Sequence, residues 1–216
     1  MLKLHGYWRS SAAYRVRIAL ALKGLDYEQV THDLRKDEQS SAAYRALNPQ
    51  GLVPAIDDGD HIFGQSPAIL EWLEETYTHP ALLPADKAAR AHIRAMMAII
   101  ACDIHPLNNL RVLKSLKHDL KAEQSKIDAW VARWITAGFD AFEEMIARHG
   151  KGFSFGDQPT FADCCLIPQI YNAQRFNIDL APYPLIRAVN GACDDLAAFA
   201  RAHPQHQPDA DPPADS

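Results

Sequence analysis

The chain has 216 residues, 48% of them hydrophobic and 23% charged, with a formal net charge of −5 at pH 7. Such a length buries a substantial core as one large domain or two small ones, and no apolar run is long enough to span a bilayer. The acidic balance contains no Lys/Arg-rich block and argues against nucleic-acid binding, while Lys3, His5 and Arg9 interrupt any apolar leader, which predicts a cytoplasmic protein.

Leu2–Tyr7 reads as an apolar strand and Ser11–Lys23 as a helix, with Ser10 or Ser11 as N-cap and Gly24 as its left-handed stop. The junction Arg9-Ser10-Ser11 sets two hydroxyls and a guanidinium at the helix's positive end. Unpaired N–H groups there favour an anion, by roughly 0.3–1 kcal/mol from the helix dipole. A Ser-Ser pair can equally do no more than cap a helix, so the junction alone does not decide its role. Tyr27–Leu34 reads as a second strand, and a helical crossover between two strands makes a right-handed parallel unit. A short helix near Ser40–Leu47 follows, then a strand Leu52–Ile56, a turn Asp57-Asp58-Gly59-Asp60 and a strand His61–Phe63, the pattern of an antiparallel hairpin. Pro67–Tyr77 reads as a helix with Ser66 as N-cap and Pro67 at the first helical position. The order is βαβαββα.

Pro80 and Pro84 punctuate the next stretch, which gives a linker over residues 81–87 between an α/β domain, 1–80, and an all-α domain, 88–208. Ala88–Cys102, Leu107–His118, Ser125–His149, Phe161–Gln174 and Pro184–Ala202 carry helical apolar spacing. Thr160-x-x-Asp163 is a carboxylate variant of the capping box and points to folding rather than chemistry. The tail from Gln205 is rich in Pro and Asp, and residues 209–216 are expected to fray. Cys102, Cys164, Cys165 and Cys193 lack CxxC spacing and read as buried thiols of a reducing compartment. The histidines show neither HExxH nor Cys/His ligand spacing, so no metal site is expected.

Two further segments carry polar chemistry. Asn48-Pro49-Gln50-Gly51-Leu52-Val53-Pro54 leads into a strand, and a cis bond at Val53–Pro54 would turn the Val53 backbone outward to pair with a peptide ligand. Gln65-Ser66-Pro67 opens a helix, where a hydroxyl and N-terminal N–H groups suit a carboxylate. With the Ser10–Ser11 junction these outline a slot with a thiol end and a carboxylate end.

The blocks RSSAAYRVRIALALKG, ALNPQGLVP, QSPAILEWLEE, CDIHPLNNLRVL, FGDQPTFADCCLIPQ and RFNIDLAPYPLI run in this order up to about Pro208, and together they resemble the zeta-class glutathione transferases of the maleylacetoacetate isomerase type. The resemblance implies the glutathione transferase fold, a thioredoxin-like α/β N-terminal domain followed by an all-α helical domain, together with a homodimer and reduced glutathione as cofactor. Carried over residue by residue, it assigns Ser10 and Ser11 to the glutathione sulfur, Val53 to its cysteinyl backbone, Gln65 and Ser66 to its γ-glutamyl end, and Gln39 to a further contact. His105, Asn109 and Arg111 would come from the helical domain, although His105 before a proline reads by itself as a helix-end residue. Ala12 stands where animal relatives carry a cysteine, so the thiol chemistry falls to glutathione and the serines.

The implied reaction is glutathione-dependent cis–trans isomerisation of maleylacetoacetate to fumarylacetoacetate in tyrosine and phenylalanine breakdown, by reversible thiolate addition. The alternatives are maleylpyruvate isomerisation in gentisate degradation, general glutathione conjugation, and a non-catalytic interaction protein. Ser10, Ser11 and Arg9 are the expected catalytic residues. A diketo-acid substrate demands cations, and guanidinium forks match carboxylates, which makes Arg9 and Arg175 the expected partners of its carboxylates. Arg15 and Arg17 read as solvated or structural.

Overall fold

A computed structural model describes residues 1–212, which form two compact units. The first comprises Met1–Leu82 together with residues 194–212. It begins with β1 (Leu2–Gly6), α1 (Ser11–Leu22) and β2 (Tyr27–Thr31), then a 3-10 turn Glu38–Ser40 and α2 (Ala42–Leu47). β3 (Ala55–Asp57), β4 (Ile62–Gly64) and α3 (Ser66–Thr76) complete the expected βαβαββα order.

The strands form one sheet in the order β2-β1-β3-β4. β1 runs parallel to β2 and antiparallel to β3, with His5 opposite Ala55, and β3 pairs antiparallel with β4, with Ala55 opposite Gly64. The end of β1, the start of β3 and the end of β4 all lie at the same end of the sheet, so Tyr7–Ser11, Val53–Pro54 and Gln65–Ser66 are brought together by topology alone.

α1 packs against both α3 and a C-terminal helix, α10 (Ala197–Ala202). A helix covered on several sides needs no polar face, and every residue from Ser11 to Leu20 is buried. Arg15 and Arg17 are therefore structural and not solvated, at 2% and 1% exposure. Lys23 caps the helix, Gly24 follows in the left-handed region at φ +66°, and the Lys23 ammonium is sunk beneath α3. It donates to Glu74 Oε2 at 2.7 Å and to the carbonyls of Tyr77 and Pro80. The Glu74 carboxylate in turn accepts the Leu82 amide.

The second unit, Leu83–Cys193, is helical among the described residues. It holds α4 (Lys87–Ala98), a π-helical stretch Ile99–Ile104, the short α5 (His105–Leu107) and α6 (Leu110–His118). α7 (Gln124–His149), α8 (Phe161–Arg175) and α9 (Pro184–Asp194) follow. Ile135, Phe139, Phe142, Phe161 and Ile186 are fully buried at its centre. α7 comes so close to the π-helical stretch that a Cβ on Gly138 would sit 2.2 Å from Ile104 Cδ1. The expected capping box opens α8: Thr160 Oγ1 accepts the Ala162 amide, while Asp163 accepts the Thr160 amide at 2.7 Å and the Ser154 amide at 2.8 Å.

Several boundaries differ from the sequence expectation for identifiable reasons. The helix expected over Leu107–His118 is broken at Asn108–Asn109, because Asn109 is itself an N-cap. The helix expected over Pro184–Ala202 divides into α9 and α10. The tail expected to fray from Gln205 packs on the first unit through residue 212, anchored by Asp209 and Asp211, and residues 213–216 of the expected 209–216 tail lie outside the described residues. Asp209 bonds the Trp8 amide and the Gln29 side chain, and the exposed Asp211 pairs with Arg35. Of the cysteines, Cys102 is exposed and the other three are buried, so only those three match the expectation. Among the described residues, no helix is long and apolar enough to cross a membrane and no group of His, Cys, Asp and Glu could hold a metal ion.

Candidate active site

The N-terminus of α1 is the first component. Ser10 is the N-cap: its backbone is extended, its Oγ accepts the Ala13 amide at 3.2 Å, and its carbonyl accepts the Tyr14 amide at 2.9 Å. Its hydroxyl hydrogen remains available. Ser11 is the first helical residue, buried at 8% exposure, and among the described residues its hydroxyl makes no hydrogen bond. The amides of Ser11 and Ala12 precede the first intrahelical bond and point out of the helix end. Two hydroxyls and two amides thus lie together at the positive end of a buried helix, an arrangement that favours an anion. Arg9 is half-buried, its guanidinium 5.6 Å from the Trp8 ring centroid.

The second component is the loop before β3. Val53–Pro54 is cis, and among the described residues neither the amide nor the carbonyl of Val53 is hydrogen-bonded. Its neighbours hold it still. The Leu52 carbonyl accepts from Asn48 Nδ2 at 2.7 Å and from Tyr44 Oη at 2.8 Å, and Gly51 turns the chain at φ +64°. Gly51 also packs against the Gln39 carbonyl, where an added Cβ would come within 3.2 Å. Gln39 therefore stands beside this loop, its Nε2 bound to Asp37 and its buried Oε1 without a hydrogen-bond partner.

Behind the loop lies a histidine pair that the sequence reading did not single out. His5 Nδ1 and His32 Nε2 are 3.0 Å apart, their rings are stacked, and Tyr44 packs on His32 with ring centroids 4.2 Å apart. Burial lowers the pKa of both histidines, and for His32 the proximity of His5 lowers it further. One bridging proton suits the contact, whereas a second would set two donors face to face.

The third component is the start of α3. The N-cap is Gln65, at φ +65°, and not Ser66 as the sequence suggested; Ser66 and Pro67 are the first helical residues. The Ser66 hydroxyl is thereby free of capping duty. Its oxygen accepts from Arg15 Nη1 at 3.1 Å, which leaves the hydroxyl hydrogen to donate outward. Arg15 lies buried beneath this helix start, so a positive charge backs the Ser66 amide and hydroxyl. The Gln65 side chain meets Gln50 of the loop. Sequence reasoning missed Arg15 because a charged residue inside a helix reads as solvent-facing, and only the all-round burial of α1 reverses that.

His105, Asn109, Arg111 and Arg175 belong to the second unit. His105 begins α5, directly after the π-helical stretch. Asn109 caps α6, accepting the Arg111 amide on Oδ1 at 3.1 Å. Arg111 is exposed on the first turn of α6, and Arg175 is exposed at the last residue of α8.

At this end of the sheet the first unit thus sets hydroxyl and amide donors at the α1 start, the Val53 backbone without hydrogen bonds among the described residues, and the Ser66 hydroxyl over Arg15. Residues 4–81 match the family model for the glutathione S-transferase N-terminal domain, and residues 127–207 that for the C-terminal domain. Maleylpyruvate isomerase from a Ralstonia species is 53% identical over 97% of this chain and 100% of that protein. The holo structure of a maleyl pyruvate isomerase, a bacterial zeta-class glutathione S-transferase, matches with a TM-score of 0.95 over 97% of this chain and 100% of that one, at 53% identity. The chain belongs to the zeta-class glutathione S-transferases. Within the zeta class, maleylacetoacetate isomerase from Anaeromyxobacter dehalogenans, crystallised with glutathione in its active site, is 46% identical with a TM-score of 0.89, covering 98% of each chain. Four of the six zeta-class blocks quoted from the sequence fall on the structural pieces just described: the α1 start, the loop before β3, the α3 start and the Asn109 cap.

Proposed function

We propose that this chain is a glutathione-dependent isomerase that converts the cis double bond of a maleyl-substituted diketo acid to trans, with maleylacetoacetate as substrate and fumarylacetoacetate as product. One observation carries the reading: the unspent Ser11 hydroxyl and free amides at the α1 N-terminus share one end of the sheet with the Arg15-backed Ser66. That pairing suits glutathione, whose thiol and γ-glutamyl carboxylate are separated by an extended peptide.

Bound glutathione supplies a thiolate that adds reversibly to the conjugated double bond and so permits rotation about it. A free thiol with a pKa near ~8.5 is only a few per cent ionised at neutral pH, and lowering it by about two units is worth roughly 2.7 kcal/mol. Ser11, free of other bonds, is the principal donor to the sulfur, and Ser10 adds its remaining hydroxyl hydrogen while capping the helix. The Val53 amide and carbonyl pair with the cysteinyl backbone, in the manner of an added strand. Ser66 and the Gln65 side chain take the γ-glutamyl end over the Arg15 charge, and the unpartnered Gln39 Oε1 accepts from the peptide's donors. Arg9, next to the serines in sequence, binds a substrate carboxylate and stabilises the negative charge that the keto group develops. The active form is a homodimer in the cytoplasm.

A second reading, isomerisation of maleylpyruvate, is favoured by the name of the 53% identical Ralstonia relative. The two substrates differ by a short extension beyond the keto group. Competition between freshly generated maleylacetoacetate and maleylpyruvate at saturating glutathione separates them: the higher kcat/KM identifies the substrate, and a preference for maleylpyruvate replaces the first reading with the second.

A further inference from the structure

The turn that carries Arg9, Ser10 and Ser11 is held from the far end of the chain. β1 stops at Gly6, so Tyr7–Ser10 has no sheet partner to fix it, and the turn's own bond is Ser10 N–H to the Tyr7 carbonyl at 3.0 Å. Side chains grip the Trp8 amide and the carbonyls of Tyr7 and Trp8. The Trp8 amide donates to Asp209 Oδ2 at 2.9 Å, across 201 positions of sequence, and the other Asp209 oxygen accepts from the Gln29 side chain on β2. The Trp8 carbonyl accepts from Arg17 Nη2 at 2.9 Å and the Tyr7 carbonyl from Nη1, while Arg17 Nε donates to the Ala202 carbonyl at the end of α10. The same terminal segment is pinned once more where Asp211 takes two bonds from Arg35, whose guanidinium also binds Asp33 and lies over the Tyr7 ring.

Trp8 is two residues before the N-cap and 4% exposed. A carboxylate bond to its amide is charge-assisted and directional. Without it, a buried N–H would be orphaned and the turn would move to find a partner. The dihedrals of Trp8 and Arg9 set where the Ser10 and Ser11 hydroxyls lie, so such a movement is transmitted directly to the anion position. We propose that Asp209 is a positioning residue for the thiolate site, holding the Trp8 amide so that the α1 N-terminus and its serine donors converge on the glutathione sulfur. The inference rests on the glutathione reading of that site and goes beyond it in giving the C-terminal segment a part in the chemistry.

The sign of the effect separates positioning from simple charge. A nearby carboxylate by itself disfavours a thiolate, so if Asp209 acted only as a charge, its removal would lower the pKa of bound glutathione. Positioning predicts the reverse for Asp209→Ala. Asp209→Asn, which keeps an oxygen for the Trp8 amide, should restore the wild-type value or fall slightly below it. The experiment is a titration of the thiolate absorbance of glutathione bound to the full-length protein, with glutathione alone as ligand, alongside kcat and glutathione KM. Asp209→Ala is expected to raise the pKa of the bound thiol by roughly half to one unit, which from about 6.5 reduces the thiolate fraction at pH 7 by about one-and-a-half- to threefold, and kcat with it, while glutathione KM stays within about twofold. An Asp209→Ala titration at or below wild type, or an Asp209→Asn variant as defective as Asp209→Ala, overturns the proposal. Should Asp209→Ala not fold, Gln29→Ala frees the carboxylate's other oxygen and should shift the titration in the same direction by less; an unshifted titration there overturns it as well. Wild-type protein that binds glutathione without lowering its thiol pKa would contradict the functional reading itself, and this inference with it.

Discussion

Ser10 and Ser11 are adjacent and chemically identical, yet their surroundings give them separate tasks. Ser10 Oγ is occupied by the Ala13 amide, whereas the Ser11 hydroxyl is unoccupied among the described residues. Ser11→Ala is accordingly expected to lower kcat by about a hundredfold, the scale of losing one donor to a developing anion, with little change in stability. Ser10→Ala should cost about 1 kcal/mol of stability as a lost N-cap, and urea unfolding alongside steady-state kinetics distinguishes the two. The His5–His32 pair makes a pH prediction. Both pKa values are lowered by burial, so the unfolded chain binds protons before the native one does as the pH falls. Stability is therefore constant above the ordinary histidine range and declines below it, by at most about 1.4 kcal/mol per pH unit for each histidine. His32→Phe should flatten that decline in unfolding experiments between neutral and mildly acidic pH; an unchanged slope would show that the pair is not its source. At this scale the sequence disclosed the residues with hydroxyls or amides at helix starts. It did not disclose Arg15 or the histidine pair, because their roles depend on burial that no local pattern encodes.

Elements were legible where periodicity and turn chemistry agreed. The βαβαββα order, the Asp-Gly hairpin, the Gly24 stop and the Thr160–Asp163 capping box all appear. Misreadings cluster where a side chain overrides the pattern. Asn109 ends one helical stretch by capping the next, and Gln65 rather than Ser66 caps α3 because φ +65° turns the chain one residue earlier. The α1–α3 clasp lends itself to test at this level. Lys23 and Glu74 form an ion pair with side-chain exposures of 0% and 7%, supported by the carbonyls of Tyr77 and Pro80. Removing the ammonium leaves the Glu74 carboxylate buried without its Lys23 counter-charge, so Lys23→Met should destabilise by about 3–5 kcal/mol, while the double replacement Lys23→Met/Glu74→Leu should recover much of the loss. Denaturant midpoints measure both, and a single variant as stable as wild type would contradict the clasp. Asn109→Ala should cost about 1 kcal/mol as a lost cap in addition to any effect on glutathione KM.

For the whole molecule, the informative departure is the C-terminal segment. Its Pro and Asp content looks like that of a disordered tail, because composition averages over residues and cannot register a partner two hundred positions away. Asp209 and Asp211 find such partners, and residues 194–212 join the unit that bears the serine junction. The two-domain architecture was legible in the change of rhythm after the β4–α3 region; the return of the chain to its first unit was not. The account as a whole stands on glutathione acting as a catalyst that is regenerated at each turnover. The most direct measurement follows conversion of a freshly generated maleyl diketo acid at varied glutathione, with the thiol quantified before and after. A catalytic thiol gives a rate that saturates with glutathione, a trans product and full recovery of the thiol. Stoichiometric consumption of glutathione, or isomerisation that proceeds equally well without it, would contradict the account.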